Sequence, residues 1–137
     1  MKIKNDFITN SSSSSFIVAV RENLTRADIR KELLEKGSLK EYLDEYKNYW
    51  GPYDEEDYEY EDDTTEIARL ETEEEQLALL AEKIADSIYA EIRNALKLGD
   101  FNAFAYEGSS EDIELFSNWL YAYANINTDN IKIRAFD

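Results

Sequence analysis

The 137-residue chain contains neither cysteine nor histidine. The first absence removes disulfides and thiolate chemistry. The second removes His-dependent catalytic triads and the commonest transition-metal ligand. Long apolar runs are missing as well: the run Phe16-Ile17-Val18-Ala19-Val20 spans five residues, where a membrane span needs about 20. Lys2 and Lys4 could open a secretory leader, but Ser11 to Ser15 stand where its apolar stretch would be, so no signal peptide is expected. The expectation is a soluble cytoplasmic protein.

Positive charge is scarce. Lys plus Arg number 15 against 31 Asp plus Glu, a net charge of −16. This argues against direct binding to nucleic acid or to an anionic membrane, because both require a basic footprint. The length corresponds to about one domain with a sizeable core. The imbalance is concentrated: residues 1–40 carry +3, residues 41–75 carry −14 and residues 76–137 carry −5. Its densest part is Asp54-Glu55-Glu56-Asp57-Tyr58-Glu59-Tyr60-Glu61-Asp62-Asp63, eight acids in ten residues without a base.

Apolar periodicity predicts the elements. Residues 2–8 read as an extended segment with Ile3 and Phe7 on one side, and residues 16–20 as a strand inside a sheet, apolar on both faces. Between them, Thr9, Asn10 and the serines read as a turn, so the two strands form a hairpin or lie apart in one sheet. Thr25 is placed to cap a helix over about 26–36, with Ile29, Leu33 and Leu34 inward and Gly37 as its stop. Ser38 is placed to cap a second over about 39–49, which Gly51-Pro52 ends.

Residues 53–64 follow as an acidic, Tyr-containing internal linker. Thr72 and Glu75 form a capping box that opens a long helix over about 73–98. Its stripe is Leu77, Leu80, Ile84, Ile88, Ile92 and Leu96, and Gly99 terminates it. A strand over 101–106 leads, through Ser109 or Ser110 as a cap, to a helix over about 111–124 carrying Ile113, Phe116 and Leu120. A last alternating strand covers 131–136. A strand–helix–strand connection of this length predicts a parallel pair. The fold class is α+β: a single domain over 1–137 with one small sheet of about four strands and helices packed mainly on one face.

The segment Lys4-Asn5-Asp6-Phe7-Ile8-Thr9-Asn10, continued by Ser11 to Ser15 and Phe16-Ile17-Val18, resembles the opening of a group of small bacterial and phage proteins. These begin with an Asp-Phe-Val/Ile-Thr-Asn-Ser-Ser-Ser-Ser-Ser-Phe signature. The resemblance covers only this N-terminal stretch; it implies a phage or mobile-element origin and transfers no functional residue.

Several features are candidates for function. The acidic tract has the charge density of a nucleic acid. Extended at ~3.3 Å per residue it carries one charge per ~4 Å, near the ~3.4 Å of one DNA strand. A helical tract would set like charges at i and i+4, which disfavours that form. Tyr58 and Tyr60 then stand where bases would stack in a single-strand groove. A solvated linker that keeps the protein soluble is the competing reading. The tract lacks the central glycine of a calcium-binding loop, so no metal site is expected. The serine run lacks the glycines and lysine of a phosphate loop.

No carboxylate pair stands out for acid–base work. Asp6, on its strand, is one isolated candidate, and no catalytic residue or cofactor is expected. Tyr42, Tyr46, Tyr49 and Trp50 lie at helical spacing, the pattern of a core stripe or of interface anchors.

The functional expectation is a non-enzymatic acidic protein that engages a basic surface of a host protein. Asp54 to Asp63, with Tyr49 and Trp50, would form the contact, as a nucleic-acid mimic inhibiting a nucleic-acid-binding protein. The alternatives are a structural protein that self-associates through the long helix and, further off, a metal-dependent phosphoesterase.

Overall fold

The computed structural model describes residues 13–47, 50, 63–110, 114–123 and 126–136. The predicted segment 2–8, Asp6 included, lies outside them. The central strand β1 (Ser13–Arg21) is longer than its apolar run, because Ser13, Ser14 and Ser15 are part of it rather than of a turn. Here cross-strand pairing overrides the serines' loop preference. Two helices follow. In α1 (Arg26–Lys36), Thr25 Oγ1 accepts from the Asp28 amide, and the Asp28 carboxylate accepts from the Thr25 amide. Ile29 and Leu33 are buried, but Leu34 points outward. In α2 (Leu39–Tyr46), Leu39, Tyr42 and Leu43 are buried. Ser38 does not cap it with its side chain, since its φ of 56° places it in the left-handed region.

The short helix α3 (Asp63–Ala68) occupies the end of the expected linker and buries Thr65 and Ile67. Then comes α4 (Glu73–Ile92), opened by the Thr72–Glu75 capping box. It stops six residues before its expected end. Leu96 belongs instead to β2 (Leu96–Leu98), and Gly99 turns β2 into β3 (Phe101–Ser109). With φ of 61° at Gly99 and no positive φ at Asp100, the hairpin takes the form that needs glycine first. The four-residue step from Ile92 to Leu96 imitated a helical repeat, whereas the two-residue step from Leu96 to Leu98 was the strand signal. Ser109 ends β3 and is no helix cap. The next helix, α5 (Leu115–Tyr123), begins later than expected, and β4 (Ile131–Phe136) closes the chain.

The sheet order is β2-β3-β1-β4, every pairing antiparallel. This corrects the expected parallel pair. β3 and β4 do run in the same direction, but β1 lies between them and bonds both: Val18 is opposite Phe104 on one side and Ile133 on the other. One face of the sheet carries Phe16, Val18, Val20, Ile131 and Ile133 into the core. The helices cover this face. α5 lies so close to β3 that a Cβ on Gly108 would stand 3.0 Å from the Ser117 carbonyl oxygen and 2.9 Å from the Phe16 ring. The other face carries Ile17, Ala19 and Ala103, and no described element packs on it.

Candidate protein-binding surfaces

The acidic side of the molecule is built on α2, α3 and the first turn of α4. Lys40 on α2 joins its own helix to α4, its Nζ donating to Asp44 Oδ2 (3.0 Å) and to Glu73 Oε2 (2.7 Å). The Glu73 bond, then the Asp44 bond, raises the lysine's pKa above its ordinary value. Lys83 on α4 holds α3 in the same way, through Asp63 Oδ1 at 3.3 Å and Glu66 Oε1 at 3.1 Å. The Glu66 bond is the main reason its pKa is raised too. Each lysine meets two carboxylates, so each cluster keeps a negative surplus. Glu41 on α2, Glu74 on α4 and Glu71 in the connection before α4 add exposed charge.

The proposed contact residues divide. Tyr49 and Asp54 to Asp62 lie outside the described residues. Asp63 opens α3 and is paired with Lys83. Trp50 is only 7% exposed and belongs to the core, which removes it from the contact surface. Its ring lies 5.6 Å from that of Tyr42, which also meets Tyr46 at 5.1 Å and Tyr123 at 5.8 Å. The described members of the aromatic stripe, Tyr42, Tyr46 and Trp50, therefore belong to a core cluster. Tyr42 is anchored by donating to Asn118 Oδ1 at 2.6 Å, and burial pushes its pKa up. Tyr123 donates to Glu45, which pushes its own pKa up to about 12.

A second surface was not singled out from the sequence. On the uncovered sheet face, Leu96 is 70% exposed, Leu98 59% and Phe136 46%. Phe101 lies on the same face, with the Arg21 guanidinium 5.0 Å and the Lys132 ammonium 5.8 Å from its ring centroid. The strict alternation of residues 131–136 and the Leu-Lys-Leu of β2 were the signals for it.

Between α5 and the ends of β1 and β4 is a cleft of about 430 Å³ lined by Ser14, Phe16, Ser38, Tyr121 and Tyr123. Among the described residues that line it there is no carboxylate or amine side chain. Among the described residues no group of three or more carboxylates is arranged to hold a metal ion, and no helix is long and apolar enough to cross a membrane. No protein-family model, curated protein or solved structure matches the chain.

Proposed function

We propose that the protein acts by binding rather than catalysis. It is an acidic protein, encoded by a phage or mobile element, that works in the host cytoplasm by engaging a basic surface of a host protein. The most concrete version is imitation of a nucleic-acid strand, occupying the groove of a nuclease, polymerase component or other nucleic-acid-binding protein.

One observation carries the reading: on the described elements either side of the tract, carboxylates outnumber the lysines that meet them, Lys40 having Asp44 and Glu73 and Lys83 having Asp63 and Glu66. The exposed Glu41, Glu71 and Glu74 add to that surplus. Charge complementarity speeds encounter and selects partners.

The test is a pull-down from host lysate comparing the natural chain with one in which Asp54 to Asp63 are replaced by Asn, Gln and Ser. A basic protein captured only by the natural chain should lose affinity steeply between low and physiological salt, and single-stranded DNA should compete for it. Equal capture by both chains, or affinity indifferent to salt, would refute the reading. Self-association through the long helix is not favoured, because Leu80, Ile84 and Ile88 of α4 are fully buried in the protein's own core.

A further inference from the structure

The uncovered sheet face has a definite layout. Across the register, Leu98, Phe101 and Arg21 share one row. Leu96, Ala103, Ala19 and Lys132 share the next; Ala105, Ile17 and Arg134 the third; and Glu107, Ser15 and Phe136 the fourth. The middle is flat and built from small or aliphatic side chains. The β2 margin is aliphatic, and the β4 margin is cationic with an exposed ring at its end. Although the whole chain has a net charge of −16, this face presents Arg21, Lys132 and Arg134 against Glu107.

We propose that this face packs on the same face of a second copy, forming a two-fold dimer whose axis runs along the strands between β1 and β3.

Two arguments select this occupant, and the area is that of a weak pair. The 27 strand residues, at ~3.3 Å along and ~4.8 Å across the strands, give a patch of about 430 Å², so two copies bury roughly 860 Å², short of a tight interface and in keeping with a dimer that dissociates on dilution.

The first is charge complementarity within the pair. An axis across the strands would stack Lys132 and Arg134 on their own counterparts. The axis along them instead lays β2 of one copy over β4 of the other. Leu96 then packs on the alkyl stem of Lys132, and Glu107 comes within reach of Arg134 of the second copy. Both contacts occur twice, as a two-fold interface requires. The second is long-range charge. On this face bases outnumber acids, and burying it turns the two acidic helical sides away from each other.

Analytical ultracentrifugation of the full chain over a wide concentration range tests the proposal. The natural chain should sediment as a dimer that dissociates on dilution. Leu96→Lys and Leu98→Lys lie at exposed positions and should keep the same circular dichroism and melting temperature, while each raises the dimer dissociation constant about tenfold or more. Glu107→Arg and Arg134→Glu should each weaken the dimer, and the two combined should restore it. A chain that stays monomeric throughout overturns the proposal, as does a dimer indifferent to these four changes. A monomer that associates only after residues 1–12 are removed would assign the face to that segment and overturn it too.

Discussion

Asn118 is a buried polar side chain hydrogen-bonded through both its oxygen and its nitrogen. Its Oδ1 accepts from Tyr42 at 2.6 Å, and its Nδ2 donates to the Ser109 and Ser110 carbonyls at 3.3 and 3.1 Å. Tyr42→Phe leaves that oxygen unpaired in the core and should cost about 1–3 kcal/mol in urea unfolding. The same tyrosine governs alkaline behaviour. Its pKa in the folded protein is raised above 10.0, first by burial and then by Tyr46. The unfolded chain therefore loses this proton first, so the stabilisation is complete below pH 10 and declines as pH rises above it. The urea midpoint should fall through that range, and Tyr42→Phe should flatten the fall. Gly108→Ala should destabilise by about 1–3 kcal/mol, because its methyl meets backbone atoms of α5 that cannot rotate away.

At the level of elements, the starts of α1 and α4 were legible in the sequence, whereas the end of α4 and the start of α5 were not. Thr25 and Thr72 both cap where expected, Thr72 through the expected box with Glu75 and Thr25 through a box with Asp28 that was not expected. Thr72→Ala should therefore cost about 1 kcal/mol, measurable by denaturant unfolding. The Asp28 carboxyl is held low first by the Thr25 backbone amide and then by the Thr25 hydroxyl, so Thr25→Ala, which removes only the hydroxyl, should move it part of the way back toward 3.8 in an NMR titration. The stabilisation from Asp28 is present above its unfolded value and is lost as pH falls through the folded one. Ends depend on what the chain does next. α4 was read past Ile92 because Leu96 suited both a helical stripe and a strand, and only pairing with Ala103 decides between them. The helix α3 was missed because its six residues follow an acidic run that masks its two buried side chains, Thr65 and Ile67.

For the whole molecule, the α+β class and the covered sheet face followed from apolar periodicity, which reports burial. Strand order did not, because nothing in the spacing between β3 and β4 reveals that β1 is inserted between them. The acidic surplus was visible as composition. The cationic, ring-bearing outer face was not, since Arg21, Phe101 and Lys132 meet only in the folded protein. The two proposed interfaces should respond oppositely to salt. Added salt screens the attraction between the acidic side and a basic partner, but it also screens the repulsion between two copies of net charge −16. Raising salt should thus release a basic partner while leaving the self-associated species intact or strengthened, as sedimentation at several ionic strengths would show.

The position of β1 also sets a timetable for synthesis. The strand is translated before both of its neighbours, residues 101–109 and 131–136. Until those are made, Phe16, Val18 and Val20 have no sheet to enter, so the nascent chain carries a sticky β-prone segment over that interval. Nascent chains stalled before residue 126 should be protease-sensitive, and protection should appear once β4 is free to pair.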